Sequence, residues 1–437
     1  MTEERNALEI LMRITREGAF ANLALKDGLS HDRTANVGRS TALIYTALEN
    51  LNYCDFLIDS YAKGRVHSVI RGVMRLALTE LFFMDTPDHA VCAKYVSLTE
   101  EIGKGKLKGY VNGVLRSIAR DRAAGKLPPL PEDTEKRLEI ISGWPGFMIR
   151  EYLDEYGAEF TEKLVTHRVK GTALRPVWPH SSDETEDHFK QKELEIQSSR
   201  LVEGAFVAES IGDITSDELF VSGALTVQSE SAMLACRCLD PQPGDNVLDA
   251  CAAPGGKTAY MFDLMLRQGS ITAWDIHPHR VELIKNTLAR LGIKEGVLTE
   301  VRDSSVRHPE FDCAFDRVLL DVPCSGLGGG SKPDARYRRT DEGVDELAAL
   351  QYKILSACSR YVKPGGTLVY STCTLSKRED EAVIERFITE NDDFTLDPLS
   401  PFLPEDLKGR GEKGLMRLFP HVDETEGFFI ARLIRKA

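Results

Sequence analysis

Residues 246–258 read Asn-Val-Leu-Asp-Ala-Cys-Ala-Ala-Pro-Gly-Gly-Lys-Thr, a short stretch that changes character more than once. Val247-Leu248-Asp249 close an apolar run that reads as a buried strand. Ala250 to Ala253 are small enough to let a ligand approach the backbone. Pro254-Gly255-Gly256 force a sharp turn, and Lys257 to Met261 begin a helical pattern. A strand, a glycine turn and a helix N-terminus make a cradle for an adenosine-type cofactor, because free N–H groups and the helix dipole point at the ligand. Phosphate-loop spacing (GxxxxGK followed by Ser or Thr) is absent, which argues against ATP. The Pro-Gly-Gly turn in place of GxGxxG argues against a dehydrogenase.

Outward from this stretch, strand and helix patterns alternate to the end of the chain. Candidate strands cover 246–250, 270–275, 297–302, 317–321, 366–371 and 427–433, with helical patterns between the first five. That alternation predicts a parallel, doubly wound sheet whose ligands lie beyond the carboxyl ends of the strands. Three acids stand at those ends. Asp275 closes the second strand, where a carboxylate can accept ribose hydroxyls; Asp303 closes the third, near an adenine ring; Asp321 closes the fourth. One such acid is commonly a helix cap, but three in succession beside a glycine turn suggest a ligand. Cys324 follows strand four in Asp-Val-Pro-Cys, and Cys373 follows strand five in Ser-Thr-Cys-Thr, so both thiols are expected to open on one crevice. Paired thiols there suggest thiolate chemistry, since only the thiolate attacks. An Asn/Asp-Pro-Pro-aromatic loop would favour amino methylation. Cys324 after Pro323 points to carbon instead.

Upstream, residues 5–122 read as all helix. Ile70, Val73, Met74, Ala77, Leu78, Leu81 and Met84 recur at three- and four-residue spacing and give one buried face, ended by Asp85-Thr-Pro87. Similar patterns cover 5–15, 39–61, 89–102 and 107–120. Lys104, Lys106 and Lys108 sit in a glycine-loosened turn, read either as a solvated loop or as an RNA-backbone contact. Leu127-Pro-Pro-Leu-Pro131 starts a linker. Helices at 147–156 and 158–169, an acidic surface excursion at 180–196 and weak strands at 204–209 and 224–227 suggest a small α/β module before the catalytic part. The expected divisions are 1–130, 131–223 and 224–437.

The net charge of −13 over 437 residues is unevenly spread. Residues 1–130 carry 18 Lys and Arg against 15 Asp and Glu, a balance of +3, and the remainder carries −16. Local charge matters more than the total for phosphate binding, so RNA stays open as a partner. A hydrophobic content of 42% and a charged content of 28% suit a globular protein. No apolar run reaches the length of a membrane span. Met1-Thr-Glu-Glu-Arg is not followed by a signal-peptide core, so a cytoplasmic protein is expected. The nine cysteines show no zinc spacing; they read as reduced thiols, mostly core filler, with Cys324 and Cys373 the exceptions, and no metal is expected.

ACAAPGGKT (250–258), DVPCSGLG (321–328) and LVYSTCT (368–374), with the closing EGFFIARL (426–433), resemble the RNA 5-methylcytosine methyltransferases of the Nop2/Sun (RsmB-type) family. RGVMRLALTELFFMDTPDHAV (71–91) and YVNGVLRSIAR (110–120) resemble the NusB-like helical domain at the N-terminus of some ribosomal RNA methyltransferases. The resemblance implies an all-α NusB-like domain, a small α/β module and a Rossmann-like class I methyltransferase domain. It implies S-adenosylmethionine as cofactor and RNA as partner, small-subunit ribosomal RNA first, acted on by a monomer. Transfer RNA as substrate, and a non-catalytic assembly or antitermination factor, are the alternatives. By the same resemblance Cys373 is the nucleophile and Cys324 assists release. Ala252, Ala253, Pro254, Gly255, Gly256, Lys257, Asp275, Arg280, Asp303 and Asp321 line the cofactor pocket, with Asp321 also facing the base. Position after proline does not settle which thiol attacks, because DNA cytosine-5 enzymes use a Pro-Cys thiol. Some motifs depart from the family pattern. Gly329-Gly-Ser-Lys-Pro-Asp334 is shorter and more glycine-rich, Gln228-Ser-Glu-Ser231 and Lys377-Arg-Glu-Asp380 are altered, and Leu174-Arg-Pro-Val177 stands for Leu-Arg-Val-Asn.

Overall fold

The structure is a computed structural model that describes residues 2–30, 36–209, 211–329 and 334–437. The chain forms two compact units, Met1–His167 together with residues 334–339, and the rest.

The first unit is helical. Helices span Glu3–Glu17, Ala21–Ser30, Val37–Glu49, Leu51–Tyr61, Ser68–Phe83, Asp88–Thr99, Lys108–Ala123, Thr134–Ser142 and Gly146–Thr166. Ile70, Val73, Met74, Ala77, Leu78 and Leu81 are all buried, as their spacing requires, beside Leu11, Ile44, Leu48, Leu57 and Ile58. The pattern expected over 39–61 is two helices, separated at Asn50, whose side-chain amide donates to the Thr46 carbonyl at 2.9 Å. The helix over Gly146–Thr166 is interrupted at Gly157, whose φ of 76° only glycine adopts readily, which accounts for the two patterns read there. Helix Ala21–Ser30 falls within the stretch read as all helix, where no separate pattern marks it. Residues 334–339 lie between the fourth and fifth strands of the catalytic sheet in sequence but pack within the helical unit. Tyr337 donates its hydroxyl to the Leu48 carbonyl, and Arg336 donates to the Ser142 carbonyl at 2.9 Å. Most of the short glycine-rich loop, residues 330–333, lies outside the described residues.

The second unit holds two sheets. Strands β1 (Thr172–Pro176), β2 (Gln197–Ser198), β3 (Phe206–Ala208) and β4 (Leu225–Val227) form a small antiparallel sheet in the order β2-β3-β1-β4. The acidic stretch read as an irregular surface excursion contains a helix, Ser182–Gln191. Ser181 and Glu184 close its N-terminus reciprocally, and Phe189 buries it against this sheet.

The large sheet contains β5 (Asn246–Asp249), β6 (Ser270–Asp275), β7 (Val297–Val301), β8 (Phe315–Asp321), β9 (Val362–Thr372), β10 (Phe394–Leu396), β11 (Leu415–Leu418) and β12 (Phe428–Arg435). Its order is β10-β12-β9-β8-β5-β6-β7, with β11 paired to β12. Strands β5 to β9 run parallel; β12 is antiparallel to β9, so the sheet is mixed rather than parallel throughout. The chain leaves β5 towards β6 and β7, then returns to place β8 on β5's other side. That reversal makes the carboxyl ends of β5 and β8 a topological switch point. One expected helix is missing: between β7 and β8 only Pro309–Phe311 forms a single tight turn, because the Asp303–Ser305 turn and Pro309 leave no uninterrupted run for a helix.

Candidate active site

At the switch point, the turn after β5 packs closely on one side and is open on the other. Gly255 has φ 102°, and a Cβ there would meet the Cα of Ile284 at 3.2 Å, so helix Pro278–Arg290 lies against the turn. Both facts require glycine. A Cβ on Gly256 would meet nothing within 4 Å. The first residue of helix Gly256–Leu264 thus faces space that a ligand can use. Ala252 is pinned by its N–H to the Trp274 carbonyl at 2.8 Å, while Ala253 is half-buried and Pro254 exposed.

Asp275 is buried at the end of β6. Its Oδ1 accepts the His277 N–H at 3.0 Å, and its Oδ2 lies 3.3 Å from the Arg280 guanidinium. Arg280 also donates to the Ala253 carbonyl at 3.3 Å, so Ala253, Asp275 and Arg280 share one corner. Asp303 is half-buried, and its Oδ1 accepts from the N–H and hydroxyl of Ser305 at 2.9 and 2.7 Å. The capping role therefore occupies one oxygen of Asp303. Ser304 ties this turn to β5 by donating to the Ala250 carbonyl at 2.5 Å.

Asp321, Lys257, Cys324 and Cys373 form the other half of the crevice. Lys257 donates to Asp321 Oδ2 at 2.7 Å, and Ser371 donates to Oδ1 at 3.0 Å. Burial opposes the charge on Lys257, but the Asp321 carboxylate and its hydrogen bond outweigh it and hold the ammonium above its usual pKa. The side chain of Lys257 thus turns towards Asp321, although its backbone belongs to the glycine turn. The Sγ atoms of Cys324 and Cys373 are 3.3 Å apart. Of the seven other thiols, Cys313 is exposed. Burial pushes Cys236, Cys251 and Cys358 strongly up, Cys54 and Cys238 up to about 12, and Cys92 upward. Those six are packing rather than nucleophiles.

Two residues escaped the sequence reading. Asp249 is fully buried at the end of β5, and burial pushes its carboxyl up to about 7, opposed by the Thr258 hydroxyl, which donates to Oδ2 at 2.6 Å. Among the described residues its buried Oδ1 has no hydrogen-bond partner, which points to a group supplied from outside the chain. The acid was visible in Val-Leu-Asp; its burial was not. Ser371, adjacent in the Ser-Thr-Cys motif, carried no signal separable from β9. Among the described residues, no three or more His, Cys, Asp or Glu side chains are arranged to hold a metal ion.

A glycine turn, a strand-end acid and paired thiols at the switch point of a mixed sheet with an antiparallel β12 define a Rossmann-like methyltransferase. Two family descriptions match the chain: 16S rRNA methyltransferase RsmB/F over residues 236–434 and the NusB family over residues 1–120. The chain is 35% identical to the probable ribosomal RNA small subunit methyltransferase B of Bacillus subtilis, covering 98% of both chains. It is 31% identical to ribosomal RNA small subunit methyltransferase B of Klebsiella pneumoniae, covering 90% and 89%. Among solved structures it is similar to PH0851 (TM-score 0.80, 27% identity, 99% of both chains). It also matches a methyltransferase homolog protein from Pyrococcus horikoshii (TM-score 0.59, 31% identity, 71% of this chain and all of the other). The chain belongs to the RsmB/F methyltransferase family, with an N-terminal NusB domain. Its methyl donor is S-adenosylmethionine, and the open face at Gly256 and the unanswered oxygen of Asp249 fit such a group. No helix among the described residues is long and apolar enough to cross a membrane.

Proposed function

We propose that this protein methylates carbon 5 of a cytosine in small-subunit ribosomal RNA through a covalent link between Cys373 and the base. The carrying observation is the pair of thiols 3.3 Å apart beside the Lys257-bound carboxylate of Asp321. Ala252 to Gly256, Asp275, Arg280 and Asp303 would hold S-adenosylmethionine, which supplies an electrophilic methyl group when bound. Carbon 5 of cytosine is a poor nucleophile. Addition of the Cys373 thiolate to carbon 6 makes carbon 5 enamine-like and able to accept a methyl group. Addition of the thiolate leaves negative charge on the ring at N3. Asp321, which accepts from Lys257 and Ser371, would face N3 and relay a proton from the Lys257 ammonium to neutralise it. Removal of the carbon 5 proton then re-forms the carbon 5–carbon 6 double bond and expels Cys373 as thiolate, a step in which Cys324 assists. The target must be unpaired or flipped from its stack for the thiol to reach it. The curated relatives are named for small-subunit ribosomal RNA, which favours that substrate over transfer RNA. The N-terminal helices are proposed to bind it, with the protein acting as a monomer in the cytoplasm. Bisulfite sequencing of total RNA with and without the gene tests the reading. One small-subunit cytosine should lose protection; loss in transfer RNA instead would move the substrate, and no loss anywhere would end the proposal.

A further inference from the structure

The crevice contains a buried polar brace that the proposed chemistry does not use. The segment carrying Cys324, residues 322–329, has no regular secondary structure; backbone hydrogen bonds tie its ends, Val322 N–H to the Ser371 carbonyl at 3.2 Å and Gly427 N–H to the Gly328 carbonyl at 2.7 Å. Glu379, fully buried beyond β9, accepts the Ser325 N–H at 2.8 Å and the Gln351 side-chain amide at 2.9 Å through one oxygen, Oε1. The same Gln351 amide donates to the Pro323 carbonyl at 3.0 Å. Glu379 and Gln351 therefore hold the residues on either side of Cys324. The Cys373 segment is joined to them: the Ser325 and Thr374 hydroxyls are 2.8 Å apart, and the Tyr370 hydroxyl donates to the Glu379 carbonyl at 2.6 Å. At the far end of the loop, a Cβ on Gly328 would meet the Gly427 carbonyl oxygen at 2.1 Å and that of Cys373 at 2.8 Å.

We propose that Glu379, through Ser325 and Gln351, is a positioning residue that sets Cys324 against Cys373 and thereby times release of the methylated base. A buried carboxylate accepting two N–H groups is strongly directional, and its removal takes this acceptor from the Ser325 N–H and leaves the Gln351 amide to the Pro323 carbonyl. The inference rests on the covalent reading above, in which Cys324 acts only at release. Its loss of position should therefore resemble loss of the Cys324 thiol, not loss of cofactor binding.

The test compares Glu379→Ala, Glu379→Gln and Cys324→Ala in the full chain, with S-adenosylmethionine and transcribed small-subunit ribosomal RNA, on denaturing gels. Glu379→Ala should accumulate a denaturant-resistant protein–RNA adduct at least tenfold above the unmutated protein. Glu379→Gln, which keeps an acceptor oxygen, should restore most turnover. If Glu379→Ala does not fold, Gln351→Leu carries the same expectation. Adduct from Cys324→Ala but from neither brace variant overturns the inference. If Cys324→Ala itself gives no adduct, the covalent reading fails, and a second measurement decides the brace without RNA. Diamide should take two electrons and two protons from Cys324 and Cys373 in the free protein, joining them as a disulfide while the azo group becomes a hydrazine. Mass spectrometry of the cross-linked peptides should show this at least tenfold slower in Glu379→Ala. An unchanged rate shows that Glu379 does not set the pair, and overturns the inference.

Discussion

Each unit buries a carboxylate, and the two are treated differently. Glu80 of the helical unit is almost fully buried, yet the Tyr95 hydroxyl and the Lys94 ammonium each reach it at 2.8 Å, and Arg39 at 3.4 Å. Asp249 of the catalytic unit is as deeply buried and accepts from the Thr258 hydroxyl and the Cys251 N–H, but no hydrogen-bond partner of its Oδ1 lies among the described residues. A buried acid with its hydrogen bonds made is architecture. One left partly unmet, at a strand end facing a ligand cradle, is stored for function. The contrast separates a buried acid that braces a helical core from one that borders a ligand cradle.

The largest effect should come from the crevice and leave the helical unit untouched. Cys373→Ala should lower methyl transfer on the order of 10⁴-fold or more, since a covalent step is lost outright. It should also abolish the adduct, whereas Cys324→Ala should retain it. Adduct in Cys373→Ala but not in Cys324→Ala, on a denaturing gel, would exchange the two roles.

Asp249 supplies the next test, in stability. Its carboxyl is raised from 3.8 to about 7 in the fold, so the folded state holds the proton more tightly than the unfolded chain does. The stabilisation is fully present below about pH 4 and is lost as pH rises to about 7, by up to about 4 kcal/mol. Asp249→Asn cannot ionise. Its stability relative to the unmutated protein should therefore rise between pH 4 and 8 by that amount, measured by denaturant unfolding without cofactor. A pH-independent difference would mean that Asp249 is as well answered as Glu80.

Asp275 tests whether the crevice's other buried acid is also ligand-directed. Asp275→Ala should weaken S-adenosylmethionine binding by about 1.5–3 kcal/mol, roughly 10–150-fold, through loss of a charge-assisted pair to ribose. Unchanged calorimetric affinity in a folded variant would make Asp275 an anchor for His277 and Arg280 only.

What was legible in the chain follows the same division. β5, β6 and β8 announce themselves as short apolar runs ending in Asp249, Asp275 and Asp321, and the helix carrying Val73 and Leu78 by its period. The two thiols stand 49 positions apart, yet the rule that doubly wound sheets open at their strand ends brings Cys324 and Cys373 together. Other features depend on partners far away in sequence. Tyr337 finds Leu48 across 289 positions, and no local pattern marks residues 334–339 as part of the helical unit. The turn of Lys257 towards Asp321 and the burial of Asp249 are tertiary facts as well. Helix Ala21–Ser30 lies within the stretch read as all helix but has no three- and four-residue pattern of its own, because Leu23 and Leu25 are two apart and Lys26, Asp27 and Gly28 separate them from Leu29.

The smallest expected effect concerns the helical unit's own claim to a ligand. Lys104, Lys106 and Lys108 lie where helix Asp88–Thr99 gives way to an irregular turn, with Gly103 at φ 72°, before helix Lys108–Ala123. Lys108 is 3.1 Å from Glu100 in an exposed pair, an arrangement that contributes little to stability. Its ammonium can therefore exchange that carboxylate for a phosphate at small cost. Reversing all three lysines to glutamate should weaken RNA binding about 3–10-fold near physiological salt. The slope of log affinity against log salt should fall by roughly one for each phosphate that is no longer neutralised. Thermal stability and S-adenosylmethionine affinity should not change. If affinity and salt slope are both unmoved in filter binding, the turn is a solvated loop, and the helical unit meets its partner through another face.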